Sequence, residues 1–262
     1  MFKFCNLYSG SSGNCSLVET ENTKILVDAG VSSKKIQEGL KQCDVNIDQI
    51  NAIIITHEHS DHVKGLQVLC KKNNIPVYAN SHTFSMIKAE IPDSQKKYFT
   101  TNNFFEINDL KIYPFKIPHD AADPCGFSIY HDKNKISIAT DIGHMESQII
   151  DTLSGSNYVL LESNYEPDML KCSKYPYNLK RRILGENGHL SNEDAAKTIT
   201  ILAKQGVSNF SLGHLSEQNN LPELAYQTVM NEIINKAYSE KIKLNVCNRY
   251  KPNDIIDIEK TG

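Results

Sequence analysis

No apolar stretch in this 262-residue chain approaches the roughly 20 residues that a bilayer-spanning helix needs, so a membrane-embedded role is not expected. The opening MFKFCNLYSGSSGNCSL lacks a charged stretch followed by a long apolar one, so no secretory leader is expected either. Excess positive charge is missing too. The formal net charge is -3, so contact with a nucleic acid must come from a local basic patch. There is no tryptophan and no C-x-x-C. The cysteines, Cys5, Cys15, Cys43, Cys70, Cys125, Cys172 and Cys247, are odd in number and scattered. That pattern argues against a cysteine-ligated zinc and for reduced thiols in the cytoplasm. No repeat, low-complexity tract or linker stands out, and the length suits one large α/β domain or two small ones.

What the chain does have is a recurrent pattern of short apolar runs that end abruptly in polar residues. Ile25 to Val27 ends at Asp28, and Ile53 to Ile55 at Thr56-His57-Glu58-His59. Ile112 to Ile117 ends at Pro118-His119-Asp120, and Ile136 to Ala139 at Thr140-Asp141. Tyr158 to Leu161 ends at Glu162, and Phe210 to Leu212 at Gly213-His214. Short β-branched runs favour strands. Helical patterns lie between several of them. Val63, Leu66 and Cys70 share a face of one expected helix that stops before Asn73-Asn74-Ile75-Pro76. Ser191 to Asp194 reads as a capping box opening a helix that buries Ala195, Ala196, Ile199 and Leu202 and closes at Gly206. Pro222 suits a first turn, of a helix running to about Tyr238 with Leu224, Thr228 and Ile233 or Ile234 inward. The implied fold is an α/β protein with polar side chains gathered at one edge of its strands, where ligand sites form.

The densest polar cluster is T-H-E-H-S-D-H, residues 56 to 62. His57 and His59, two apart on an extended turn, can face one point. Asp61 and His62, opening a helix, can face a second. Imidazole and carboxylate suit Zn²⁺, Mn²⁺ or iron, and so dense a cluster is costly to bury without a cation.

H-x-H-x-D-H resembles the signature of metallo-β-lactamase-fold hydrolases. The resemblance implies a single domain over residues 1–262, a four-layer αββα sandwich of two mixed sheets flanked by helices. It implies two divalent ions, one held by His57, His59 and His119, the other by Asp61, His62 and His214, with Asp141 bridging. It also implies a bridging water or hydroxide as nucleophile, and Asp28 as a brace for the ligand loop. His82, His131 and His144 are expected at the surface or behind the ligands. A histidine at position 59, where flavodiiron oxidoreductases carry glutamate, favours hydrolysis. The Asp141 bridge, without a cysteine ligand, argues against a secreted β-lactamase.

The stretch from Tyr175 to Asp194, the opening S-G-S-S-G-N-C-S and L-E-S-N at 161 to 164 are similar, end to end, to the YycJ (WalJ) family. That resemblance implies a cytoplasmic metal-dependent nuclease acting on single-stranded DNA from 5′ ends, with no obligate protein partner. Tyr165 departs from it, standing where the family is expected to carry histidine. Lys180, Arg181 and Arg182, with Tyr175 and Tyr177 interleaved, make a candidate track for a single strand, although K-R-R is often a solvated turn. G-H-L-S-N-E-D is similar to the H-S-T motif of the tRNase Z group. His189 is therefore a candidate general acid for the leaving oxygen, or a helix-entry histidine bonded to backbone. Asp61 and His189 are the catalytic candidates. Ser11, Ser12 and Asn14, in the Gly/Ser-rich segment, are candidates for a phosphate nest or belong to a plain hairpin turn. Asn164 is a further candidate substrate contact. A small-molecule metallo-hydrolase (an esterase, thioesterase or cyclic phosphodiesterase) remains the alternative, since one fold hosts many reactions. A metal-binding protein without activity is a third.

Overall fold

The computed structural model describes residues 1–236 and 242–260. The six apolar runs all become strands. In chain order the elements are β1 (Phe2–Tyr8), β2 (Cys15–Thr20), β3 (Lys24–Val27), α1 (Ser33–Gln42), β4 (Ala52–Ile54), α2 (Ser60–Val63), α3 (Leu66–Lys72), β5 (Val77–Ala79), α4 (Ser81–Met86) and β6 (Lys96–Tyr98). Then follow β7 (Phe105–Ile107), β8 (Leu110–Lys116), β9 (Cys125–His131), β10 (Asn134–Ala139), α5 (Ser147–Leu153), β11 (Tyr158–Glu162), α6 (Pro167–Cys172) and α7 (Tyr177–Ile183). The last are α8 (Asn192–Lys204), β12 (Asn209–Gly213), α9 (Pro222–Asn235), β13 (Lys243–Val246) and β14 (Ile256–Asp257).

Among the described residues these strands form two 7-stranded sheets, ordered β14-β1-β2-β3-β4-β5-β6 and β13-β12-β11-β10-β9-β8-β7. Both are mixed. β3 to β6 run parallel, as do β10 to β13, while β1 to β3 and β7 to β10 pair antiparallel.

Period-two alternation sorts the side chains between layers. Ile25, Val27 and Ile54 of the first sheet meet Ile112, Phe127, Ile138 and Leu160 of the second in the inter-sheet core. Leu26 and Ile53 point the other way, onto Ile36 and Leu40 of α1 and Leu69 of α3. Val159 and Leu161 point onto Ile199 of α8 and Val229 of α9. The result is the expected αββα sandwich. Among the described residues no helix is long and apolar enough to cross a membrane.

Two helical expectations shift. The single helix expected after the histidine cluster is broken at Lys64-Gly65. The Gly65 N–H, which would bond the Asp61 carbonyl in a continuous helix, goes to Ala29 O at 2.7 Å, and Asp61 O accepts Asn14 N–H at 2.8 Å. The buried stripe of α9 is Ala225, Val229 and Ile233, one residue on from the expected phase, with Leu224 and Thr228 half-buried and Ile234 exposed. Its expected end at Tyr238 lies outside the described residues. α8 keeps its capping serine, whose Oγ accepts Asp194 N–H at 3.1 Å, and the chain leaves it through Gly206 at φ 95.

Candidate metal centre

Strands β3, β4, β8, β10, β11 and β12 all deliver their C-terminal ends to one rim of the sandwich, and the ligand candidates follow those ends directly, except Asp61 and His62, which α2 carries back to the rim. Three of those residues, Asp28 (φ 62), Asp141 (φ 61) and His214 (φ 54), adopt left-handed backbone. This conformation is uncommon outside glycine and concentrates at functional sites. It turns each side chain sharply off its strand.

The loop after β4 is held from behind. Asp28 Oδ1 accepts Thr56 N–H at 2.9 Å, and Asp28 Oδ2 accepts from His62 Nδ1 at 2.8 Å. The Asp61 backbone lies so close to Gly30 that a Cβ there would stand 1.6 Å from Asp61 O. Glycine is therefore required for the loop to close. Asn14 reaches the same loop, with Nδ2 3.2 Å from His62 Nε2.

His57 Nε2 and His59 Nδ1 are 3.1 Å apart, and His119 Nε2 is 3.2 Å from the same His59 atom. Nearby, Asp61 Oδ2 lies 3.3 Å from His214 Nε2 and 3.5 Å from His62 Nε2. Between the two clusters, Asp141 Oδ2 is 3.2 Å from His62 Nε2, and Oδ1 is 3.7 Å from His119 Nε2 and 3.5 Å from His214 Nδ1.

The outer imidazole nitrogens are already engaged. His57 Nδ1 is 3.0 Å from Thr56 Oγ1, His119 Nδ1 donates to Gly188 O at 3.1 Å, and His214 Nδ1 donates to Glu162 Oε1 at 2.8 Å. The inner nitrogens of His57 and His119 are thus left as lone pairs converging on His59, which a cation relieves, whereas those of His62 and His214 face the Asp141 and Asp61 carboxylates. Burial keeps His57 and His119 below the usual imidazole range, in the neutral form that ligates. Asp141 Oδ2 is buried with no hydrogen bond. Three donor sets, His57/His59/His119, Asp61/His62/His214 and His57/His62/Asp141, each bring one atom per residue within 4.8 Å of one another. The residues fit divalent ions: they supply the nitrogen and oxygen donors such ions take, and an orphaned carboxylate oxygen lies between the sets.

Glu162 belongs to this site and was seen in the sequence only as a strand end. It is fully buried. Oε1 accepts from both His189 Nδ1 and His214 Nδ1 at 2.8 Å, and Oε2 accepts the backbone N–H of Ile142 at 2.7 Å and of Leu190 at 3.1 Å. Burial pushes its carboxyl up, but His189 and His214 override this and hold it at about 2. Its position at the end of Tyr158–Leu161, followed by a polar S-N, was the available signal.

A cavity of about 280 Å³ opens over the centre, lined by Ser11, His59, Asp61, His119, Asp141, Arg182, His189 and His214. Other candidates lie elsewhere. The run 180–182 is split by the helix it sits on. Arg182 makes a two-pronged pair with Asp120, whereas Lys180 Nζ donates to Lys171 O at 2.6 Å and Arg181 lies over the Tyr177 ring at 5.9 Å. Tyr175 packs against a small apolar cluster of Tyr165, Leu170 and Ile183. Asn164 is buried and donates to His214 O at 2.7 Å, so it holds the ligand loop. In the Gly/Ser segment the amides of Ser9, Gly10, Gly13 and Asn14 have protein acceptors, so those four are not open to a phosphate. Ser11 reaches the cavity and Ser12 is exposed. His144 is exposed and bonds Glu186 O at 2.8 Å.

Residues 23–210 match the β-lactamase superfamily domain. The chain is 37% identical over 238 residues, 90% of each chain, to exodeoxyribonuclease YycJ of Bacillus anthracis. It belongs to the YycJ/WalJ family. A second member, exodeoxyribonuclease WalJ of Streptococcus pneumoniae, is 36% identical over 88% of each chain. The metallo-β-lactamase fold protein YhfI of Bacillus subtilis superposes with a TM-score of 0.73 over 97% of this chain and 100% of its own, at 13% identity, which speaks for the fold alone. As a YycJ/WalJ member the chain is a metallo-hydrolase. Tyr165 has a structural place: the ring is 7% exposed in the small apolar cluster, and the backbone carbonyl accepts Asn192 N–H at 2.9 Å.

Proposed function

We propose that the chain is a metal-dependent exonuclease of the cytoplasm that removes nucleotides from the 5′ end of single-stranded DNA. The observation that carries this reading is the convergence of two donor sets around the unbonded Asp141 Oδ2. The relatives' activity supplies the substrate class. One ion would be held by His57, His59 and His119, a second by Asp61, His62 and His214, with Asp141 between them. Bound there, zinc or manganese supplies Lewis acidity to a phosphodiester and acidifies water.

The remaining steps belong to side chains. The Glu162 carboxylate accepts a hydrogen bond from His189 Nδ1, which fixes the ring and leaves the Nε2–H for the cavity. From there Nε2 donates a proton to the departing 3′ oxygen as the P–O bond breaks. Arg182, steadied by Asp120, presents its planar guanidinium to a phosphate oxygen. Ser11 offers a hydroxyl on the opposite lip. His119, through its bond to Gly188 O, ties the ligand set to the loop carrying His189.

The test offers metal-loaded protein end-labelled single-stranded DNA, duplex DNA, RNA and bis-p-nitrophenyl phosphate. Single-stranded DNA is expected to shorten from its 5′ end. Asp61→Ala is expected to abolish cleavage, and His189→Ala to slow it by about 10²- to 10⁴-fold. Turnover of the generic diester alone would replace this reading with the small-molecule one.

A further inference from the structure

The split of the basic run leaves open where the strand beyond the scissile phosphate lies. A larger cavity, of about 610 Å³, sits beside the metal centre. It is built from the loops that carry the site. Pro118 precedes His119, His144 follows Asp141, and Asn187 precedes His189, and all three line it. These loops are locked together: Gly143 N–H bonds Pro118 O at 2.8 Å, and a Cβ on Gly143 would stand 2.0 Å from Glu186 O. The cavity and the metal centre are therefore two sides of one rigid wall.

Its long side is the outer face of β8. Tyr113 and Phe115 line it, and Lys116, whose side chain by alternation leaves the other face of the strand, borders the cavity at the strand's end. Beyond Tyr113 the aromatic surface continues onto Phe104, 51% exposed, with ring centroids 4.8 Å apart, and from Phe104 to Tyr130 at 5.9 Å. Lys111 Nζ stands 4.3 Å from the Phe104 ring centre. Of these rings Phe104 is exposed and Tyr113 and Tyr130 are half-buried. Accessible rings with ammonium groups among them are the chemistry that holds unpaired bases and their phosphates, without regard to sequence. The acid in the lining, Glu146, lies at the far side from β8, with Oε1 3.3 Å from His144 Nε2. From Tyr113 to His119 the chain reaches at most about 20 Å, a span a single strand crosses in a few nucleotides.

We propose that this groove, from Phe104 and Tyr113 past Lys116 to Pro118, is the binding track for single-stranded nucleic acid, feeding the metal centre. The proposal rests on the nuclease reading above. A base stacks on the Tyr113 and Phe104 platform, and Lys111 and Lys116 meet the backbone phosphates. A duplex, whose bases are already stacked on one another, gains nothing from the platform.

The test measures binding of a fluorescein-labelled, nuclease-resistant phosphorothioate thymidine dodecamer to metal-loaded protein by anisotropy. Tyr113→Ala and Phe104→Ala are each expected to weaken binding about tenfold, the loss of one stacked base. Lys116→Glu, an exposed site where folding is not at stake, is expected to weaken it comparably and to flatten its salt dependence. Lys34→Glu on α1, against the other sheet, serves as the charge control. If the groove variants bind as the control does, the track is refuted, and cleavage by the wild type would still uphold the nuclease reading. Tight, groove-dependent binding of the dodecamer by a protein that does not cut unmodified end-labelled single-stranded DNA refutes the nuclease reading and keeps the track. A wild type that does not bind the dodecamer refutes the track outright.

Discussion

Glu162 orients two histidines with one oxygen and holds two backbone amides with the other. Glu162→Gln puts an amide N–H against Nδ1 protons or backbone N–H groups, so at least one buried donor loses its acceptor. Turnover or metal affinity is expected to fall about 10- to 100-fold, read by metal titration and by kcat on single-stranded DNA. Gly30 gives a sharper case. Gly30→Ala forces the Asp61 backbone away, an overpacking expected to cost about 1–3 kcal/mol in denaturant titration and to deplete the Asp61/His62/His214 set of its ion. The thiols are a third. Six of the seven are buried, and burial pushes Cys70 to about 11 and Cys247 to about 12, whereas Cys172 is exposed. Iodoacetamide labelling followed by mass spectrometry is expected to modify Cys172 alone in the native protein, and all seven after denaturation.

At the scale of elements, α6 and α7 form an arm outside the two sheets. Its anchor is a satellite core of Tyr165, Leu170 and Ile183, with Tyr175 and Leu179 against it. Arg182 sits one residue before that anchor. Leu170→Ala is expected to loosen the arm, speeding limited proteolysis between residues 165 and 190 while leaving metal content unchanged. The Leu170 side chain is fully buried, so the local loss is about 2–5 kcal/mol. This arm also shows where sequence reading stops. The donors at 57 to 62 are contiguous, so their chemistry is written in the chain. His119, Asp141 and His214 follow strands whose apolar runs announce their ends. Which way Lys180, Arg181 and Arg182 point is set by Asp120, Lys171 and Tyr177, partners that no local pattern names. The break at Gly65 likewise depends on Ala29 and Asn14, and the one-residue phase shift of α9 on which side chains suit the α8 surface. Glu162 was visible but looked like any polar strand terminus, because its partners at 189 and 214 arrive only through the fold.

At the scale of the molecule, the ligand candidates divide between the halves: His57, His59, Asp61 and His62 come from the first sheet, His119, Asp141 and His214 from the second. The apolar layer joining the sheets is generic, whereas this rim is polar, and two of its turning residues, Asp28 and Asp141, are anions. Divalent metal held there would act as a fastener between stretches of chain more than 150 positions apart, with no covalent bond. Ions present at a hundred times their dissociation constant would add about 2.7 kcal/mol to the folded state. Chelation is therefore expected to lower the melting temperature and to quicken amide exchange at residues 28–31, 55–63 and 214–216. The opposite edge, where Thr20 and Thr23 bond Asp109, is expected to exchange as before. A protein so fastened would report its own loading state through the looseness of one rim, and proteases would find the empty form first.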